Sequence, residues 1–164
     1  MAGGAAETQP AVPAATIDPA SASPGDTITV SGGGCPQPGW DASLTWTVHV
    51  QISAPDSLAA LPPPRGITAP TGEKPHSPVA FTAEGYTGRS DATGSPRADG
   101  TWSVPLEVPG PGDPFPAAPG QYPISALCFA AEGAEAGTVA YALPILTVTA
   151  ASAPPVAMAP AFTG

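Results

Sequence analysis

The chain of 164 residues contains 32 Ala, 19 Gly and 25 Pro, so close to half of it has side chains that are tiny, absent or cyclic, and only 10% of residues are charged. Four cations (Arg65, Lys74, Arg89 and Arg97) against 13 acids give a formal net charge of −9 and form no basic stripe, which excludes nucleic-acid binding by phosphate neutralisation and argues against an anionic membrane surface. The longest apolar run, Val139 to Val148, is shorter than the roughly 18 residues a membrane span needs and contains Pro144, so no membrane span is expected.

Residues 1–13, ending Gln9-Pro10-Ala11-Val12-Pro13, have no periodicity and read as a Pro/Ala-rich linker. No basic start or apolar h-region opens the chain, so no signal peptide is expected within it. The next 136 residues, 14–149, are the size of one domain. Weak strand patterns occupy Ala15 to Asp18 and Pro78 to Ala83. Strong ones follow a period of two, which places alternate side chains on one face of a half-buried strand. They are Thr27 to Ser31 with Ile28 and Val30 inward, and Leu44 to Ile52 with Leu44, Trp46, Val48, Val50 and Ile52 inward. Trp102 to Val108 follows with its even positions inward, and Gln121 to Ala130 with Tyr122, Ile124, Ala126 and Cys128 on one face. From Thr138 to Thr149 the phase runs through Val139, Tyr141, Leu143 and Ile145, then shifts to Leu146 and Val148. One extra residue beside Pro144 accounts for that shift, so a bulge or a change of partner is expected there.

Turn signals separate these segments at Ser23-Pro24-Gly25-Asp26, Ala98-Asp99-Gly100 and Ala118-Pro119-Gly120. The stretch from Ser53 to Ser77, with Pro62-Pro63-Pro64, is too long for a hairpin turn and reads as a surface excursion or an irregular edge strand. About seven short strands with Pro- and Gly-marked turns predict an all-β antiparallel sandwich or barrel. The tail 150–164 repeats the linker-like composition of the start.

Cys35 follows the second strand after Ser31-Gly32-Gly33-Gly34, and Cys128 lies on the core phase of the sixth, with Trp46 on the strand between. Those positions suit a disulfide joining two sheets and hence an oxidising setting; the alternative is two buried free thiols.

The run Ile17-Asp18-Pro19-Ala20-Ser21-Ala22-Ser23-Pro24-Gly25-Asp26-Thr27-Ile28-Thr29-Val30-Ser31-Gly32, followed by Cys35, resembles the opening of the Ig-like domains of secreted and wall-attached actinobacterial proteins. Asp99-Gly100-Thr101-Trp102 and Pro119-Gly120-Gln121-Tyr122 through Cys128 are similar to the later strands of that pattern. The resemblance covers about 14–149 and implies an Ig-like sandwich of about seven strands with flexible termini, with Trp46, Trp102 and Tyr122 in its core. Tyr122 stands six residues before Cys128, whereas the tyrosine corner of antibody-type domains stands two before its Cys, so antibody-type topology is not implied.

Catalytic residues are not expected. The only histidines are His49, on the outward phase of its strand, and His76, in the Pro-rich excursion, and neither has a motif around it. Asp91, Asp99 and Asp113 lie in loops that could converge on calcium, but without calcium-loop spacing they read as solvated turn carboxylates; the cysteines lack zinc spacing. Neither metal nor cofactor is expected. Gly32-Gly33-Gly34 reads as a strand end or bulge rather than a phosphate cradle. Three loop aromatics, Trp40, Tyr86 and Phe115, are candidates for stacking on a sugar ring, or for capping the ends of a thin core. The last residues, Pro160-Ala161-Phe162-Thr163-Gly164, resemble a sortase motif of the Leu-Pro-x-Thr-Gly or Leu-Ala-x-Thr-Gly type, with Pro160 in place of Leu.

These features together predict a non-enzymatic extracellular or wall-attached module of structural, display or adhesive type, with a protein or cell-wall glycan as partner. A carbohydrate-binding module of a secreted enzyme and an outer-surface module of a phage particle are the alternatives.

Overall fold

Ten short strands carry the backbone in the order β1 (Thr16–Asp18), β2 (Ser21–Ala22), β3 (Thr27–Gly32), β4 (Trp46–Ser53), β5 (Ile67–Thr68), β6 (Gly88–Gly94), β7 (Trp102–Glu107), β8 (Gly120–Ala130), β9 (Thr138–Ala140) and β10 (Ile145–Val148). The computed structural model describes residues 12–53, 67–68, 88–130, 137–142 and 144–150. Two sheets pack face to face as a β-sandwich. One has the order β1-β3-β7; the other has the order β2-β10-β8-β4-β6, with β9 also on β8 and β5 on β9.

The period-two phases carry the core. Ile28, Val30, Val48, Val50, Ile52, Val104, Leu106, Val108, Ile124 and Leu146 are all fully buried. Removing such side chains from water is the main stabilising term of the fold, about 1.5–3 kcal/mol each. Trp46, Trp102 and Tyr122 lie in this core as expected.

Pro19 and Ala20 divide the first edge. β1 pairs antiparallel with β3 in one sheet, whereas β2 pairs parallel with β10 in the other. The last edge is a single path with a slip. β9 pairs Leu127 with Ala140, and β10 pairs Pro123 with Ile145. Between them the Tyr141 N–H donates to Ala126 O at 3.1 Å and the Ile124 N–H donates to Pro144 O at 2.9 Å. The register on β8 therefore slips by one residue between Tyr141 and Pro144, which matches the bulge expected beside Pro144.

Several boundaries and phases differ from the sequence reading. β4 begins at Trp46, because Asp41 accepts from both the Ser43 amide and its hydroxyl and holds 41–44 in a turn; Leu44 is half-buried outside the strand. Ile145 is 36% exposed, since the bulge turns Leu146 and Val148 inward instead. The outward phase of β4 and β8 is also buried at Gln51, Ser53, Ser125 and Leu127. β6 has no apolar alternation to reveal it and forms by backbone pairing with β4 from Val48↔Gly94 to Ser53↔Gly88. Its last residue lies against the other sheet, where a Cβ on Gly94 would come within 2.7 Å of Val104 Cγ2. The expected strand at Pro78–Ala83 lies outside the described residues, as does the excursion beyond Ser53 apart from β5.

Candidate functional site

Cys35 and Cys128 form a disulfide with both residues fully buried and their Cα atoms 5.9 Å apart. It ties the segment that leaves β3 to β8 in the opposing sheet. Beside it the Cys35 N–H donates to Gly100 O, so the 33–45 loop and the 95–101 turn share one end of the sandwich. The turn 23–26 and the 108–119 loop form the other end: the Gly25 N–H donates to Val108 O, and the Val108 N–H donates to Asp26 O.

The disulfide end is built from local polar turns. Asp41 Oδ1 accepts from the Ser43 amide at 2.8 Å and its hydroxyl at 2.6 Å, and Asp99 Oδ1 accepts from the Thr101 amide at 2.9 Å and its hydroxyl at 2.6 Å. These bonds favour the ionised form and hold both carboxyls below the usual aspartate range, with the hydroxyl of Ser43 or Thr101 as the largest cause. The turn at Asp99 is marked in the sequence by Ala98-Asp99-Gly100, whereas the matching turn at Asp41 and its place at the same end of the fold emerge only in the structure.

Trp40 lies half-buried at this end, stacked on Trp46 with ring centroids 5.2 Å apart and an interplanar angle of 28°. The Trp46 indole N–H donates to Asp41 O at 2.9 Å, which fixes the inner ring of the stack. Trp40 packs against the core cluster, as a cap on its end. Phe115 is 59% exposed in the loop after β7, at the far end. The six residues of β7 that separate the two ends span about 20 Å, so Trp40 and Phe115 do not form one stacking platform. Tyr86 lies outside the described residues, as do Pro160, Ala161, Phe162, Thr163 and Gly164.

A buried polar relay runs behind the disulfide end. The Trp102 indole N–H donates to Tyr141 Oη at 2.9 Å, and the Tyr141 hydroxyl donates to Gly33 O at 3.0 Å. The two rings meet edge to face at 5.0 Å between centroids. Burial pushes the Tyr141 phenol up from its ordinary value, and the Trp102 bond partly offsets that. The sequence marks Tyr141 only as a core-phase residue; its role as a hydrogen-bond junction needs the fold to bring the ends of β3, β7 and β9 together. Gly33, within the glycine run, is the terminal acceptor of this relay. At the other end the Tyr122 hydroxyl donates back to Ala118 O at 2.9 Å, a corner-type bond despite the six-residue spacing to Cys128.

The three aspartates considered for calcium do not converge. Asp99 caps its own turn at the disulfide end, Asp113 receives the Gly110 N–H at the opposite end, and Asp91 sits on β6 beside His49. Among the described residues no three His, Cys, Asp or Glu side chains are close enough to share a metal ion. His49 Nε2 stands 3.4 Å from Asp91 Oδ2 across the β4–β6 pair, an exposed contact on the outer face of the sheet. His76 lies outside the described residues. Among them, no helix is long and apolar enough to cross a membrane. Comparison with protein-family models, with curated proteins and with solved structures finds no match to this chain.

Proposed function

We propose that this chain is a non-enzymatic, Ig-like extracellular module that serves as a structural, display or adhesive element at a cell surface. The observation that carries the reading is the fully buried Cys35–Cys128 bridge between the sheets. A cross-sheet disulfide is characteristic of domains that work in oxidising surroundings, where thiols are not kept reduced. The Ig-like assignment is supported by the strand order, β1-β3-β7 against β10-β8-β4-β6, by the position of the bridge between the β3 end and β8, and by the Tyr122 back-bond at the start of β8.

The partner in this reading is a protein or a wall glycan met at one end of the sandwich. The glycan-module alternative is weakened by the separation of Trp40 from Phe115 and by the burial of one Trp40 face on Trp46. Localisation tests the proposal. Intact cells that make the chain, treated with a membrane-impermeant protease, should lose it, and thiol alkylation of the unreduced protein under denaturation should label neither cysteine. Protection from the protease together with two labelled cysteines would overturn the reading.

A further inference from the structure

The first and last strands of the domain run in the same direction along its edge. Ala14 forms a parallel bridge with Ala142, and β2 pairs parallel with β10 through Ser21↔Thr147 and Ala22↔Val148. The chain thus enters beside Ala142 and leaves after Thr149, seven residues further along the same edge, about 23 Å away. Beyond the β2–β10 ladder itself, further backbone hydrogen bonds tie the entering segment to the leaving one. The Ala142 N–H donates to Pro13 O at 2.8 Å, the Thr147 N–H to Ala20 O at 3.0 Å and the Thr149 N–H to Ala22 O at 2.9 Å. The Ser23 and Thr149 hydroxyls add a further contact at 3.2 Å.

Tension between the two ends pulls these parallel segments in opposite directions along their shared axis. The bonds lie across that axis, so they are loaded together in shear rather than opened one after another. β1 on β3 and β10 on β8 are also drawn along their own lengths. Behind these edges lies the disulfide, with a sequence separation of 93. Once the edges part, the chain straightens only as far as Cys35 from one side and Cys128 from the other, and the load then passes from sulfur to sulfur. β4, β6 and β7 lie inside the closed loop and carry none of it.

We propose that the domain is a load-bearing link, its parallel end segments resisting tension in shear and its Cys35–Cys128 bridge arresting extension. This deepens the display reading and rests on it, because only a module held at both ends feels tension. Fully extended chain spans about 3.4 Å per residue, so the outer segments release about 130 Å, against about 450 Å for the full length of residues 14–149 without the bridge.

The test is constant-force stretching of the full-length oxidised chain between handles at its two ends. A single cooperative rupture releasing about 130 Å is expected. With dithiothreitol present a second step of about 320 Å should follow the first and never precede it, since the sulfurs are reached only after the edges part. Thr149→Pro deletes the Thr149 N–H tie together with its hydroxyl contacts to Ser23 and Ala22 O, beyond the end of β10, and should speed the first rupture at least about fivefold at fixed force, with both step lengths unchanged. Thr147→Pro removes the neighbouring tie and serves as the second variant if the first does not fold. Gradual extension without a rupture, reduction before rupture, or a variant rate within about twofold of the parent would overturn the proposal. Stretching of purified protein does not depend on where the cell puts it, so a failure of surface display would leave this result standing, and the reverse also holds.

Discussion

The hydroxyl of Tyr141 accepts a hydrogen bond from the indole N–H of Trp102 at 2.9 Å and donates its own O–H to Gly33 O at 3.0 Å, joining both sheets through one buried phenol. Tyr141→Phe keeps the ring packing but leaves the Trp102 N–H and the Gly33 carbonyl without this partner. An unsatisfied buried donor costs about 1–3 kcal/mol, so the unfolding free energy of the variant from denaturant titration should fall by that amount at neutral pH.

The same phenol makes stability sensitive to alkali. Its folded-state pKa is raised, chiefly by burial, so the folded protein holds the proton more tightly than the unfolded chain does. The contribution is fully present below the unfolded value near 10 and is lost as the pH rises through the higher folded value. Denaturation curves between pH 8 and 11 should show a steeper decline for the parent than for Tyr141→Phe; parallel declines would contradict it.

Gly32 ends β3 directly against the indole of Trp102. A Cβ at that position would come within 2.4 Å of Cζ2, and the ring cannot retreat because its N–H is held by Tyr141. Gly32→Ala should therefore cost about 1–3 kcal/mol of overpacking, measured as a lower Tm, whereas Gly33→Ala meets open space and should cost less.

The disulfide closes a large loop around a core short of big side chains. Chain entropy alone assigns it about 4–5 kcal/mol for a separation of 93 residues. The Cys35→Ser, Cys128→Ser double variant should unfold at a markedly lower denaturant concentration, with proteolysis in native buffer as a second readout. A loss of unfolding free energy under about 1 kcal/mol would mean that the open chain is already constrained.

Trp40 is a test of cap against platform. As a cap stacked on Trp46 it contributes about 0.5–1.5 kcal/mol, so Trp40→Ala should lower stability and change Trp46 fluorescence. Phe115→Ala, exposed at the far end, should change neither. Retention on a wall glycan lost in both variants would instead require the two ends to share one ligand.

Much of the sandwich was legible because side-chain alternation is a local property. A strand with one wet face must alternate, so the inward phases of Ile28, Val48, Val104 and Ile124 follow from their neighbours, and the one-residue slip beside Pro144 follows from the change of phase. The cysteine pair was legible from its placement, Cys128 on the core phase of its strand and Cys35 three residues beyond the end of β3.

Tertiary structure decided what alternation does not encode. β6 carries no apolar pattern and exists through backbone pairing with β4; the first edge is shared between sheets; and Ile145 is turned outward by a bulge it does not itself contain. Backbone hydrogen bonds are indifferent to side-chain identity, so the choice of partner strand leaves little trace in composition. That choice brings Tyr141 to Trp102 and Gly33, sends Trp40 and Phe115 to opposite ends, and sets the entering and leaving segments side by side and parallel.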